Sequence, residues 1–306
     1  MIPREFGQSG IKLSPVTFGS MRLDSSKVEL SETVKLIDYL YAHGVNTFHS
    51  SHEYETDAFF CRVMEQFRQQ HPSAEIKHIA KIGVPHFGES EFSSAKLVSL
   101  IENRLQALNT ERIDLMQWLV RHQPNEDKYR LPILAACQSE LQTTWAKLQQ
   151  EGKVGALASF PYSVPFAEAV LQFPLCQGLV TYLNLLELEM TPLLEQMLEG
   201  GQGYVAIRPL CGGLITTSVA QANNTEIKAI AAALDISLSD ITKLAIQFPL
   251  LHPAVASVMV SVSSIKHAQE IIAAADLLES NSKRNLSHFE RIVESISAIN
   301  NYSDSK

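Results

Sequence analysis

The chain has 306 residues, 45% of them hydrophobic, and its 33 acidic and 25 basic residues give a formal net charge of −8. This composition predicts a globular protein with a large core, and the acidic balance disfavours a nucleic-acid-binding protein, because phosphate binding needs clustered Lys and Arg. Only 14 residues are glycine, below the typical ~7%, which argues against a protein built on glycine-rich phosphate loops.

The first residues, the short apolar stretches and the cysteine spacing together predict a cytoplasmic protein. The first residues contain no apolar segment typical of a secretion signal, and apolar stretches such as Ala229–Leu234 fall far short of the ~20 residues that span a bilayer. The spacing of Cys61, Cys137, Cys176 and Cys211 matches neither a zinc site nor a redox pair. We therefore expect reduced cysteines and no membrane partner, and the sequence leaves the oligomeric state open.

In chain order, Arg4–Pro15 predicts a β-hairpin, and short apolar strands then alternate with segments of helical periodicity. The predicted strands, all short and mostly apolar, are Val16–Gly19, Asn46–Ser50, Ile76–Ile82, Ile113–Val120, Val154–Ser159, Gly178–Asn184, Tyr204–Arg208 and Ala256–Val262. The predicted helices, which follow the strands, are Ser31–Gly44, Asp57–Gln70, Ser94–Leu108, a segment ending at Glu151–Lys153, Pro165–Phe173, Pro192–Leu198, Glu226–Leu234, Ser237–Leu251, Ile265–Leu278 and Ser287–Ile299.

Eight strand–helix units predict a closed barrel of parallel strands. An open doubly wound sheet is the alternative, but no G-x-G-x-x-G follows any predicted strand. The glycines at Gly200–Gly203 precede a strand and indicate a turn. We therefore predict one domain over residues 1–306, a single (β/α)8 TIM barrel with an N-terminal β-hairpin.

Polar side chains at the strand ends are candidates for an active site, because barrels of this kind place their sites there. The strands end in His49, Lys81, Arg121 and Arg208, and Tyr54 follows in a loop. A lysine near a tyrosine favours the phenolate, so this pair predicts a proton donor. Four histidines could share this rim, namely His49, His52, His86 and His122. We interpret them as pocket or loop residues and predict no metal site.

The order and spacing of seven motifs resemble the aldo-keto reductases, from the hairpin to about residue 275. The motifs are FGSMR, GVNTFHSSHEY, AKIG, IDLMQW, EGKVGAL, VAIRPLCGGLI and VASVMVSVSSIKHAQE. The resemblance implies a (β/α)8 barrel that reduces a small-molecule carbonyl substrate with NADPH or NADH. It also implies a cofactor extended across the strand ends without a G-x-G-x-x-G loop.

The family resemblance implies a catalytic tetrad in which Tyr donates a proton, Lys lowers its pKa, Asp holds Lys and His orients the carbonyl. Tyr54 and Lys81 match the Tyr and Lys, whereas His49 stands at the Asp position and Leu119 at the His position. We expect His49 to be a substituted partner of Lys81, as a neutral acceptor, and the pKa of Lys81 to be lowered.

Two residues could replace the missing tetrad histidine. Arg121 has the same strand parity as Leu119 and can reach the pocket, whereas His122 reaches it only if the strand bulges. The sequence leaves this choice open.

The resemblance also implies cofactor contacts, some retained and some replaced. The retained ones are Ser20, Met21, Asn184, Arg208, Pro209, Leu210 and Glu270. After the fifth barrel strand, Phe160 and Pro161 replace a Ser-Asn pair and cannot make its side-chain hydrogen bonds to the nicotinamide carboxamide. Other changed cofactor positions are Val180, Ser261, His267 and Ile271.

Three functional hypotheses follow. The leading one is an NAD(P)-dependent oxidoreductase acting on a carbonyl or alcohol, with Tyr54 as the acid and Lys81 as its modulator. The alternative is a catalytically degenerate barrel that serves as a binding or regulatory protein. A third hypothesis, a Schiff base formed by Lys81, rests on the lowered pKa expected for that lysine.

Overall fold

The computed structural model describes residues 1–23, 25–221, 224–276 and 282–304. Strands β1 (Arg4–Glu5) and β2 (Lys12–Leu13) form an antiparallel hairpin. The eight strands of a closed parallel barrel are β3 (Val16–Gly19), β4 (Thr47–Ser50), β5 (Lys77–Gly83), β6 (Ile113–Leu119), β7 (Val154–Ser159), β8 (Cys176–Tyr182), β9 (Gly203–Ile207) and β10 (Val255–Val260). The predicted (β/α)8 TIM barrel with an N-terminal β-hairpin is confirmed.

Helices surround the barrel. They are α1 (Leu30–Ala42), α2 (Asp57–Gln70), α3 (Ser94–Ala107), α4 (Asp127–Gln150), α5 (Val164–Leu171), α6 (Leu194–Glu199), α7 (Thr217–Gln221), α8 (Thr225–Ala233), α9 (Ile241–Leu250), α10 (Ile265–Asp276) and α11 (Ser282–Asp304). Sequence periodicity missed the short helix α7 and started α9 four residues too early. The last two residues of the predicted helix Ile265–Leu278 lie outside the described residues.

Strand alternation divides the buried residues into two layers. On one face of the strands, residues such as Phe48, Ile82 and Trp118 pack outward against the helices, within the large core. The opposite face fills the barrel interior with Ile79, Leu115, Ala156, Val180 and Val205.

The hairpin closes the lower end of the barrel. Phe6, Ile11 and Leu13 are buried against the interior residues of the strands. Gly178 permits this contact, because a Cβ there would lie 1.9 Å from the carbonyl oxygen of Gly203 and 2.6 Å from Phe6. The interior therefore opens only toward the carboxyl ends of the strands, where polar residues replace the apolar ones.

Two neighbouring strands approach each other unusually closely at Gly155. A Cβ at this position would lie 2.3 Å from the carbonyl oxygen of Asp114 on β6. Glycine is therefore required here by space and not by a turn.

Among the helices that the structure describes, none is both long and apolar enough to cross a bilayer.

Candidate active site

A cavity of about 580 Å³ opens at the carboxyl ends of the barrel strands. Its polar and charged lining residues are Arg22, His49, Tyr54, Lys81, Gln117, Arg121, Tyr162, Tyr182, Arg208 and Ser261. Its apolar lining residues include Met21, Leu119, Phe160, Ile207, Pro209, Leu210, Met259 and Val260. This is the end of the barrel at which the sequence places the functional residues, and all three predicted catalytic residues line the cavity.

Tyr54 and Lys81 are neighbours in the cavity, and a carboxylate lies beside them. The Nζ atom of Lys81 lies 4.6 Å from the centre of the Tyr54 ring. The same Nζ atom is 3.1 Å from Oε2 of Glu53, in an ion pair whose side chains are only 15% and 16% exposed. Lys81 therefore has a carboxylate partner, and this partner precedes Tyr54 directly in the chain.

The ammonium group of Lys81 lies over the face of the Tyr54 ring, and burial is the main cause of the pKa shifts of both residues. The pKa of Tyr54 is raised above its usual value, first by burial and then by the negative charge of Glu53. The pKa of Lys81 is lowered, as expected, but burial is the main cause and Glu53 opposes it. The net pKa of Tyr54 is therefore raised and not lowered as expected, because burial and Glu53 outweigh the nearby cations, and Tyr54 is a neutral phenol at neutral pH.

His49 lies at the expected place on β4, but its hydrogen bond goes elsewhere. Its Nε2 is 2.8 Å from Oε1 of Gln117, while Nε2 of Gln117 donates to the carbonyl oxygen of Val180 at 2.8 Å. Because the carbonyl of Val180 can only accept, the amide oxygen of Gln117 faces His49, so Nε2 of His49 is the donor and Nδ1 an acceptor.

Burial also keeps His49 uncharged. It lowers the pKa of His49 to about 4, a shift that the hydrogen bond to Gln117 opposes and the charge of Lys81 reinforces. His49 is therefore a neutral cavity residue, as expected. The partner of Lys81 is Glu53, and the prediction that His49 takes that place is corrected.

Arg121 reaches the cavity and His122 does not. Arg121 is only 6% exposed, and its Nη1 donates to Oε1 of Glu53 at 2.8 Å and to Nε2 of His86 at 2.7 Å. Its Nε donates to the hydroxyl of Tyr162 at 2.9 Å. The ring of His122 instead stacks on Tyr129, with centroids 4.6 Å apart.

Glu53 thus bridges two cations. Burial alone would raise its pKa, but the attraction of Lys81 and Arg121 outweighs burial and lowers the pKa of this carboxyl. Glu53 is therefore ionised at neutral pH.

Four of the seven residues expected to contact a cofactor line the cavity, and the other three do not. Met21, Arg208, Pro209 and Leu210 line the cavity, whereas Ser20 is buried at its edge, with its Oγ unpartnered. The other two, Asn184 and Glu270, are not among the lining residues, and Glu270 is exposed on α10.

The side chain of Asn184 is occupied by a turn. Its Nδ2 donates to Glu187 at 2.6 Å and to the carbonyl of Arg208 at 3.0 Å. Its Oδ1 accepts from the backbone of Leu186 and Glu187. A cofactor role for Asn184 and Glu270 stays a prediction.

One part of the cavity fits the diphosphate of a dinucleotide. Gly212 and Gly213 line it with positive φ angles of 70° and 105°. A Cβ on Gly212 would lie 3.7 Å from a guanidinium nitrogen of Arg22 and 3.7 Å from one of Arg208, and a Cβ on Gly213 would meet nothing. Two cations beside open backbone suit a doubly charged anion, with Arg208 also paired to Glu187 at 3.3 Å.

The region expected to hold a nicotinamide carboxamide fits less well. Phe160 is apolar, Pro161 has no N–H, and the carbonyl of Pro161 accepts from Arg130. The sequence-based expectation that these two positions make no side-chain hydrogen bonds to a carboxamide therefore stands.

Sequence reasoning missed Glu53 and Tyr162, which lie in loops, and Arg22, which ends a short 3-10 helix that follows β3. The only signal for Glu53 was its position next to Tyr54. Within the described residues, His, Cys, Asp and Glu form no group of three that could hold a metal ion.

Comparisons with known proteins agree on one family. The family model described as the aldo/keto reductase family matches residues 15–290. The L-galactose dehydrogenase of Arabidopsis thaliana is 26% identical over 96% of this chain and 94% of its own. The holo form of the aldo-keto reductase AKR11C1 from Bacillus halodurans superposes with a TM-score of 0.73 at 18% identity, covering 96% of both chains. A putative aldo-keto reductase from Pseudomonas aeruginosa gives a TM-score of 0.65 at 20% identity, over 89% of this chain and 93% of its own.

Proposed function

The chain belongs to the aldo-keto reductase family, and from this membership we propose that it is an NAD(P)-dependent oxidoreductase that interconverts a small-molecule carbonyl compound and its alcohol. The observation that carries the proposal is the Tyr54–Lys81 pair in the cavity, with Glu53 3.1 Å from Lys81. A neutral phenol is a proton donor, as carbonyl reduction requires.

Tyr54 acts as the acid in this proposal. Its hydroxyl gives its proton to the carbonyl oxygen during reduction, and the charge left on the phenolate is stabilised by Lys81 and Arg121 nearby. Glu53 holds both cations in place. The apolar wall formed by Leu119, Phe160 and Ile207 excludes water from the reacting centre.

Arg22 and Arg208 would hold the diphosphate of the cofactor beside Gly212 and Gly213, and a nicotinamide, when bound, supplies or accepts the hydride. The similar L-galactose dehydrogenase of Arabidopsis thaliana is named for the oxidation of an alcohol. We therefore include L-galactose among the compounds to be tested.

The two other hypotheses have less support. The degenerate barrel was inferred from the replaced cofactor contacts and the substituted tetrad. Glu53 restores a carboxylate to Lys81, and Arg22 and Arg208 beside Gly212 and Gly213 suit a diphosphate. A Schiff-base nucleophile must be a free amine, whereas Lys81 is held in an ion pair.

The test combines cofactor binding and turnover. We expect NADPH or NADH to bind in calorimetry and the protein to reduce small aldehydes or oxidise L-galactose. Tyr54→Phe should lower kcat by about 10²–10⁴-fold, the usual contribution of a general acid, and should still bind the cofactor.

Tyr129→Phe is the matched control, because Tyr129 stacks on His122 and is not a lining residue. This variant should retain full activity. Failure of both cofactors to bind at millimolar concentration, or full turnover by Tyr54→Phe, would contradict the proposal.

A further inference from the structure

The cavity carries an excess of positive charge in an acidic protein. Among the described residues, four cationic side chains line it and no carboxylate does, although the whole chain has a net charge of −8. Two of the cations, Arg22 and Arg208, flank the glycines proposed to hold a diphosphate. The other two, Lys81 and Arg121, share the carboxylate of Glu53, so one positive charge beside Tyr54 has no counter-ion within the described part of the chain.

The remaining donor of Arg121 is available to a ligand. Its Nη1 and Nε atoms are occupied by Glu53, His86 and Tyr162. A guanidinium can only donate, so His86 accepts through Nε2 and contributes no negative charge to the cluster. Among the described residues, Nη2 of Arg121 has no hydrogen-bond partner, and Arg121 lines the cavity.

Tyr162 supplies a second donor at the same place. Its hydroxyl accepts from Arg121, so its own proton is free to donate. Tyr162 has a φ of +63°, a left-handed conformation that is uncommon for a large side chain, and such conformations concentrate at ligand sites. Its ring packs edge-on against Phe160 at 4.5 Å, and its hydroxyl and Arg121 are neighbouring polar groups of the cavity lining.

We propose that Arg121 and Tyr162 form a carboxylate-binding subsite, and that the substrate is a short aldehyde, ketone or alcohol that carries a carboxylate. The planar guanidinium suits a carboxylate, which would neutralise the uncompensated charge. Because Glu53 joins Lys81 to Arg121, the subsite lies close to Tyr54 and favours a substrate with few bonds between its carboxylate and its carbonyl group. The inference rests on the proposed function for the reaction at Tyr54 and deepens it by naming the substrate class.

The test compares two aldehydes with the same carbon chain, 4-oxobutanoate and its methyl ester, in which a methyl group removes the negative charge. We expect kcat/KM to be at least about tenfold higher for 4-oxobutanoate, as a charge-assisted hydrogen bond implies. In Arg121→Gln this ratio should fall close to one. Tyr162→Phe, which keeps the ring, should lower the ratio by a smaller factor. The ratio is the readout, because Arg121 also contacts Glu53 and its loss will affect both substrates.

A binding experiment without turnover separates this inference from the proposed function. Butanoate should stabilise the wild-type protein in a thermal shift, butanamide should not, and the stabilisation should be lost in Arg121→Gln and reduced in Tyr162→Phe. If neither aldehyde is reduced but butanoate binds in this Arg121-dependent way, the proposed function fails and the subsite stands.

Three outcomes would overturn the subsite. They are equal kcat/KM for acid and ester in the wild type, a preference for the acid that survives in both variants, and Arg121-dependent binding of inorganic phosphate without binding of butanoate.

Discussion

Glu53 lies between two cations, with one carboxylate oxygen 3.1 Å from Lys81 and the other 2.8 Å from Arg121. It lies beside Lys81 from a loop, whereas the family resemblance expects an aspartate on the strand at the position that His49 occupies in this chain. His49 at this position needs no charged partner, because its ring donates a hydrogen bond to the amide oxygen of Gln117. Lys81 thus keeps a carboxylate partner, although this partner lies in a loop and is shared with Arg121.

Removing the charge of Glu53 should change the pH dependence of the reaction. Glu53→Gln leaves Lys81 and Arg121 without a counter-ion and removes one cause of the raised pKa of Tyr54. We expect kcat to fall at neutral pH and the pH profile of alcohol oxidation to move to lower pH by about one unit. Glu53→Asp should recover part of kcat. An unchanged profile in Glu53→Gln would show that the residue only supports the loop.

The raised pKa of Tyr54 gives the two directions of reaction opposite pH profiles. A group stays protonated below its pKa, so the acid needed for reduction persists through neutral pH and into the alkaline range. Oxidation needs the phenolate, which is scarce until the pH approaches the raised pKa. We expect the rate of reduction to be flat from pH 6 to pH 9 and the rate of oxidation to rise throughout, as measured by steady-state kinetics. An oxidation rate that levels off near pH 7 would contradict this assignment of the base.

At the scale of the elements, strand alternation explains what the sequence could and could not predict. The backbone of a strand fixes which side chains face inward, so His49 and Lys81 on their strands, and Arg121 just beyond β6, could be placed in the cavity from parity alone. Glu53 and Tyr162 lie in loops, where no period links position to direction. Their contribution depends on particular turns, and the left-handed backbone of Tyr162 gives no signal in the sequence.

The close approach of β6 and β7 at Gly155 should make the protein's stability sensitive to a larger side chain there. In Gly155→Ala the new Cβ would lie 2.3 Å from a backbone oxygen of β6, so the two strands must separate. We expect a loss of about 2–3 kcal/mol in the free energy of unfolding, as for other overpacked core positions, measured by urea denaturation.

Gly152→Ala is the control for this variant. Gly152 has a φ of +75°, but a Cβ there meets nothing within 4 Å. Conformational strain alone should then cost about 1 kcal/mol. Equal losses in the two variants would mean that strand separation is not the cause.

At the scale of the whole molecule, three buried histidines make stability depend on pH. Burial lowers the pKa of His49 and of His252 to about 4 and that of His78 to about 3. Between these values and the ordinary 6.5, the unfolded chain binds protons that the folded chain does not. Stability is therefore complete above pH 6.5 and is lost as the pH falls toward 4.

Each of the three histidines should contribute about 1.4 kcal/mol per pH unit in that window. We expect the free energy of unfolding, measured in urea, to fall steeply from pH 7 to pH 5. In His78→Gln the slope of this free energy against pH should be smaller by the contribution of one histidine. Equal stability at pH 7 and pH 5 would rule out neutral buried histidines as the source.

The barrel itself followed from the sequence because eight alternating strand and helix patterns leave few arrangements. Some of the few glycines, such as Gly155 and Gly178, lie where backbones touch. The charge balance of the cavity did not follow, because it depends on which loop carboxylate meets which strand cation. Composition reports the total charge of −8, and only the fold shows that the cavity has the opposite sign.

The placement of Glu53 directly before Tyr54 ties the carboxylate and the proton donor to the same turn. This turn is held by backbone and side-chain bonds around Ser51, which accepts from Glu53 and Tyr54 and donates to the carbonyl of Lys81. A displacement of the turn would therefore withdraw the acid and the counter-ion together, while Lys81 stayed fixed on β5. The positions of Tyr54 and Glu53 relative to Lys81 therefore depend together on the hydrogen bonds of this one short turn.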